Sequence, residues 1–329
     1  MNICPWDSYI VVIILDLKHV YYMVAAAVIA LLITVILYYP TLLHLEELGG
    51  IVAPKPKSIA IVRLSGLVVY SEESTLLTVS YITPNYVEDL LEKALKENPR
   101  ALIMVINSPG GEPSACYEIY HMLKRYKEEH NITLVVYVPS IACSGGYYIS
   151  LAADEIVANP DAMVGSVGAI GMIYSYVDLL KKLGVDVRIV RSGRFKGLTS
   201  PFKKIEKEDV EFTRRIVHGA YKHFVDILMK SRGDKLRKEN LTDILNAMIY
   251  LGDEALKVGL VDNIGTLEDA KKIARELAGL PEDAPVIEVK PRVRRISIPI
   301  FPWSAVVILE QPILRVPSSS IKIMYISGT

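Results

Sequence analysis

Cysteine is scarce in this 329-residue chain, histidine is scattered, and neither sign of charge is in excess. The three cysteines, Cys4, Cys116 and Cys143, are too few and too irregularly spaced for a disulfide framework or a CxxC metal site. The six histidines show no HExxH pattern, so a zinc-protease reading has no support. Thirty-seven Lys and Arg balance thirty-seven Asp and Glu. With no net positive charge to release counterions, the composition argues against a general DNA or RNA binder. What is present is apolar material: 51% of the residues are hydrophobic and 22% charged, enough for a sizeable core in one or two folded units.

Residues 20–39, VYYMVAAAVIALLITVILYY, carry no charge. A helix of about 20 residues rises roughly 30 Å, the thickness of a bilayer's hydrocarbon core. Tyr21 and Tyr22 stand at one end and Tyr38 and Tyr39 at the other, where amphipathic rings favour the membrane interface. Pro40 is expected to stop the helix. The run is long for a buried core helix, and bulky Tyr38-Tyr39-Pro40 makes a poor cleavage site for a signal peptide. A single retained transmembrane helix is the expectation, after a flank of residues 1–19. Lys18 on one side and Lys55 and Lys57 on the other leave its orientation undecided. Gly49, Gly50, Pro54 and Pro56 mark residues 40–57 as a linker.

From Ser58 the pattern changes. Short apolar runs at residues 59–64, 101–106, 133–138, 155–158 and 185–190 alternate with helical patterns at 86–96, 114–129, 144–153 and 176–183. Repeated strand–helix–strand units with apolar strands predict an α/β fold around a mainly parallel sheet. In such sheets ligands bind beyond the carboxyl ends of strands, so the residues after each run matter most.

Three strand ends carry chemistry. After residues 101–106 come Asn107-Ser108-Pro109-Gly110-Gly111, where two glycines allow a sharp turn and bare N–H groups beside a helix start. The same run also reads as an ordinary strand-to-helix turn. After residues 133–138 comes Ser144-Gly145-Gly146, in which Ser144 is either a helix N-cap or a nucleophile on a tight turn. Cys143 is the rival nucleophile, but no cation stands near it in sequence to lower its pKa, and it reads as small packing. After residues 185–190 comes Lys196, flanked by Phe195, Gly197 and Leu198. Most lysines are solvated, yet a desolvated one sheds its proton near neutral pH and can then take a proton from a serine hydroxyl.

Taken in order, these stretches resemble the signal peptide peptidase A family of membrane-anchored serine proteases, which have the Clp-protease/crotonase fold. The resemblance covers roughly residues 59–274 and is carried by INSPGG (106–111), SGGYYISLAADEIVANPDAMVGSVG (144–168), SGRFKGLTSPF (192–202) and GDEALKVGLVDNIGTLEDA (252–270). It implies repeated β-β-α units in a protease domain at residues 58–280. It further implies Ser144 as nucleophile, Lys196 as general base, Gly110 and Gly111 as oxyanion-hole donors, and Ser166 as a group that orients the lysine amine. No metal or organic cofactor is implied. The family's short chains assemble into dome-shaped rings with the serine and lysine on neighbouring subunits. A homo-oligomer with Ser144 of one chain facing Lys196 of another is therefore expected, acting on apolar peptides such as signal-peptide remnants. The resemblance also places the catalytic part outside the cytoplasm, tethered to the cell membrane by one pass.

The pattern over residues 207–230 reads as a surface or inter-subunit helix, and His218 and His223, five apart on it, do not share a face for metal. In the tail, residues 281–329, three apolar β-prone runs are broken by Pro299, Pro302, Pro312 and Pro317, with Glu310 and Arg315 excluding a second span. Added strands, an interfacial segment and a self-ligand for an active site are the competing readings, with strands favoured. Two rival functions share the fold or the anchor: a crotonase-like enzyme acting on acyl-CoA, and an inactive membrane scaffold. Neither uses both Ser144 and Lys196.

Overall fold

The computed structural model describes residues 17–49, 55–70, 80–193, 195–290, 294–297, 306–309 and 323–326. The chain divides into two units, Met1–Lys55 and Pro56–Thr329.

The first unit contributes one helix, α1 (Leu17–Gly49). Its described side chains, residues 21–37, are exposed at every position but Ala25 and are apolar or aromatic apart from Thr34, whose hydroxyl donates to the Ala30 carbonyl at 2.7 Å. The helix does not stop at Pro40, contrary to expectation, but runs on to Gly49. Proline's missing N–H costs one bond to Ile36, and the rest of a long helix carries the chain past it. Among the described residues no helix is long and apolar enough to cross a membrane. The described side chains of α1 cover about 25 Å of rise, short of the roughly 30 Å hydrocarbon core.

The second unit opens with β1 (Ser58–Ser65), β2 (Leu67–Val68), β3 (Tyr81–Ile82), α2 (Pro84–Leu95), β4 (Pro99–Asn107), β5 (Gly110–Gly111) and α3 (Pro113–His130). It continues through β6 (Thr133–Val138), β7 (Ile141–Cys143), α4 (Gly145–Ser150), β8 (Glu155–Ala158), β9 (Met163–Gly165), β10 (Ile170–Gly171), α5 (Val177–Lys182) and α6 (Lys207–Arg232). After a short 3₁₀ turn come α7 (Leu241–Leu245), β11 (Ile249–Leu251), α8 (Gly252–Val258), β12 (Asn263–Ile264), α9 (Leu267–Ala278), β13 (Val286–Glu288), β14 (Arg294–Ser297), β15 (Val306–Leu309) and β16 (Ile323–Ile326).

The main sheet has the order β12-β8-β6-β4-β1-β13, and every pairing in it is parallel. This is the mainly parallel α/β arrangement expected from the strand–helix alternation. Its central strands are mostly apolar because both faces are covered. Alternate residues go to opposite sides. Leu102, Met104 and Ile106 of β4 join Val62, Leu64, Leu134 and Val136 in one core beneath α2, α3 and α4. Ala101, Ile103 and Val105 join Ile59, Ile61 and Val135 in a second core closed by Ala270 and Ala274 of α9.

Helix ends obey local rules. Thr83 accepts the Tyr86 N–H at 3.2 Å ahead of Pro84, which opens α2, and Asn131 takes the left-handed conformation (φ 49°) to end α3. Glu206 and Asp209 form a reciprocal capping box at the start of α6.

Residues 185–190 form no strand. All six are exposed. Their valines alternate with Asp186 and Arg188, but a strand needs a partner for its ladder, and among the described residues none pairs there. The helical pattern at residues 144–153 shrinks to α4, six residues. Each apolar run of the tail contains a strand: β14 pairs antiparallel with β15, and β16 lies between β5 and β10 in a second sheet ordered β10-β16-β5-β2-β3.

Candidate active site

The site grows from two short parallel strands. β7 runs beside β9 with Cys143 opposite Gly165, and each strand delivers a serine at its carboxyl end, Ser144 and Ser166. The parallel register therefore sets these two serines side by side. Both hold positive φ, 52° and 53°, and both are buried. A side chain in that region costs about 1–3 kcal/mol, which persists only where surrounding bonds enforce it. Here the Ser144 N–H donates to the Gly165 carbonyl (2.8 Å) and the Ser166 N–H to the Met248 carbonyl (3.0 Å).

The PGG turn is fastened to the same strand. The Ser108 N–H donates to the Ile141 carbonyl at 2.8 Å, and the Ser108 carbonyl accepts the Cys143 N–H at 3.1 Å. The Ser108 hydroxyl oxygen accepts the Gly110 N–H at 3.2 Å, and Gly110 turns at φ 114°. Gly145 and Gly146 then pass close beneath. A Cβ on Gly145 would stand 2.5 Å from Cys116 Sγ and 3.0 Å from the Gly111 nitrogen, and one on Gly146 would stand 2.5 Å from the Ser108 carbonyl oxygen. Only glycine permits that approach.

Ser144 occupies the N-cap position of α4 without acting as a cap. Its backbone is not in the extended region that caps adopt, and its side chain makes no capping hydrogen bond. The hydroxyl is thus left for other chemistry. Gly145, the first residue of α4, has no intrahelical acceptor for its N–H and lies against Gly110 and Gly111. Cys143 is fully buried, and burial pushes its thiol up to about 12, so at neutral pH it is not a thiolate nucleophile.

α4 is anchored from below. The Tyr147 hydroxyl donates to the Leu260 carbonyl at 2.7 Å, and the Tyr148 ring packs 4.9 Å from that of Phe224 on α6. The Arg232 guanidinium at the end of α6 holds Asp262 through two bonds of 2.9 Å and donates from Nε to the Gly259 carbonyl at 2.7 Å. Burial alone would raise the Asp262 carboxyl, but the hydrogen bonds and charges of Arg232 and Lys235 bring it below its ordinary range.

Lys196 lies in the segment between α5 and α6. It is exposed, on a turn in which its N–H donates to the Gly193 carbonyl at 3.1 Å. Among the described residues nothing gives it the burial expected of a general base. Among the described residues it makes no hydrogen bond with Ser144. The chain therefore brings together Ser144, Ser166, Gly110 and Gly111, while the Lys196 side chain stands exposed. Sequence reading missed Ser108 and Gly145. Ser108 stands two residues before a glycine, the spacing at which a serine oxygen accepts a backbone N–H, and that was its signal.

Comparison with known proteins bears on the same residues. The pattern of peptidase family S49 matches residues 127–281, and that of the NfeD1b N-terminal domain matches residues 77–175. A provisionally named protease of Synechocystis sp. is 34% identical over 201 residues, which are 60% of this chain and 71% of that protein. A provisionally named signal peptide peptidase SppA of Enterococcus faecium is 31% identical over 237 residues, 71% of this chain and 67% of the relative. A Brucella melitensis protein named as the Na(+)/H(+) antiporter NhaA is 33% identical over 210 residues; the match covers 64% of this chain but spans only 28% of that protein's own length.

Proposed function

The chain belongs to the signal peptide peptidase A family, peptidase family S49, and from that premise we propose that it is a serine endopeptidase working through Ser144 and Lys196. The observation that carries the proposal is Ser144 itself: buried, held at positive φ, making no cap bond, and bordered by the Gly110–Gly111 turn. Lys196, neutral once sheltered from water by a neighbouring copy, accepts the Ser144 proton. The serine oxygen attacks the peptide carbonyl. Gly110, Gly111 and Gly145 N–H groups hold the oxyanion, and Gly110 exchanges its bond to Ser108 for one to substrate. Protonated Lys196 then donates to the leaving amine, and water resolves the acyl-enzyme with the lysine again as base. Ser166, beside Ser144, orients the lysine amine.

The exposed apolar segment around Lys196 supports assembly with further copies, as a ring whose sites draw on neighbouring subunits. The uncharged run at residues 20–39, helical throughout its length, supports a single membrane pass, with the protease domain at residues 58–280 outside the cytoplasm and residues 281–329 as its tail. Apolar peptides, signal-peptide remnants among them, are the proposed substrates. The test is labelling of the full chain by a fluorophosphonate. Ser144→Ala should abolish labelling, and Lys196→Ala should slow it by on the order of 10²-fold. Mixing the two variants should restore partial peptide hydrolysis. Labelling at an unchanged rate in Lys196→Ala would remove the dyad.

A further inference from the structure

Lys196 is carried on an excursion of the chain that leaves β10 and returns at α6. Residues 181–193 and 195–197 of it are exposed, yet its two ends are held on α6. At the outgoing end, Gly171 of β10 lies so close to α6 that a Cβ there would stand 2.8 Å from Thr213 Cγ2 and 2.9 Å from Val217 Cγ2. At the returning end, the Lys203 amine donates to the Asp209 carboxylate at 2.5 Å, with the two side chains 16% and 2% exposed. Asp209, Thr213 and Val217 follow one another at intervals of four, the spacing that puts residues on one side of a helix.

The ends are also tied to each other. The Ser175 hydroxyl donates to the Lys203 carbonyl at 2.8 Å, and the Tyr176 N–H donates to the Pro201 carbonyl at 2.7 Å. Asp209 is itself fixed, because the oxygen that receives Lys203 also accepts the Glu206 N–H at 2.8 Å in the capping box. From this neck the backbone reaches Lys196 through linked turns. The Ser200 N–H donates to the Gly197 carbonyl at 3.1 Å, the Leu198 N–H to the Phe195 carbonyl at 3.3 Å and the Lys196 N–H to the Gly193 carbonyl at 3.1 Å, with Leu198 buried among them. Seven residues of unconstrained chain could span up to about 25 Å. The turns remove that slack.

We propose that Lys203 and Asp209 are positioning residues for the general base: their buried ion pair fastens the foot of the Lys196 segment to α6 and so fixes where the Lys196 amine is delivered. This rests on the Ser144–Lys196 reading above and adds two residues to it. Burial is what suits the pair to the task. A surface ion pair holds its partners weakly, because water competes for both charges. Separating a buried pair strands a carboxylate away from water and is strongly disfavoured. Proton transfer to an amine needs the hydroxyl within about 3 Å, so a small displacement of this foot costs much of the rate.

A double-mutant cycle on fluorophosphonate labelling of Ser144, with the full chain in detergent, tests this. Lys203→Met should slow labelling by on the order of 10-fold when Lys196 is present. In a Lys196→Ala chain, which keeps a slower labelling, Lys203→Met should change nothing, because the group it positions is gone. A purely structural role would slow both chains alike. That result would overturn the inference, as would an unchanged rate with Lys196 in place. Should Lys203→Met fail to fold, Asp209→Asn takes its place in the same cycle, since its amide oxygen still accepts the Glu206 N–H while the charge is lost. Labelling that Lys196→Ala itself does not slow would remove the dyad, and this inference with it.

Discussion

The surroundings of Ser144 and the surroundings of Lys196 differ in almost every physical respect. Around Ser144, side chains are buried, backbone groups are paired and two residues are held at positive φ. Around Lys196, from Met172 to Phe202, tyrosines, leucines and valines stand exposed, Val190 almost wholly so at 97%, and residues 185–190 carry a strand-like alternation that no described residue pairs with. A strained centre needs rigid support, whereas an exposed apolar arm is a surface awaiting cover. The contrast is between a region the chain completes by itself and one whose apolar side chains it leaves exposed.

The largest expected effect would fall on the completed region. Arg232→Ala leaves the Asp262 carboxylate buried with Lys235 as its remaining cation, since the Arg232 and Asp262 side chains are 5% and 8% exposed. Loss of about 3–5 kcal/mol is expected in denaturant unfolding. A change under 1 kcal/mol would show that the support beneath α4 is not rigid. Next, Gly146→Ala drives a methyl against the Ser108 carbonyl, and peptide turnover should fall by on the order of 10²-fold as the oxyanion donors shift. Retained turnover would mean that the PGG turn and Ser144 move independently. The smallest effect on the isolated fold belongs to the arm: Val187→Ser and Leu183→Ser should each alter stability by less than about 0.5 kcal/mol. Sedimentation should nevertheless show fewer large assemblies. An unchanged size distribution would erase the contrast between the two regions.

Much of the completed region was legible in the sequence. Residues 133–138 and 155–158 are strands with the limits read from their apolar runs, since a buried parallel strand writes its length directly into composition. Ser144 and the glycine turn stood out for the same reason, each following such a run. What stayed hidden depends on partners distant in the chain. Nothing local says that Ser166 lies beside Ser144, because that follows from the register of β7 on β9. Residues 185–190 have the composition of a strand and, among the described residues, lack the neighbour that would make them one. The tail showed β-prone runs, but the place of β16 between β5 and β10 is a property of two edges formed more than 150 residues earlier.

Ser108 makes three bonds within one residue: to Ile141, from Cys143 and from Gly110. A rivet of this kind joins the wall that would cradle charge to the wall that would deliver the attacking oxygen, and removes their private degrees of freedom. Variation is then left to segments this rivet does not hold, such as β10 and the exposed run beyond it, where side chains can change without loosening the turn.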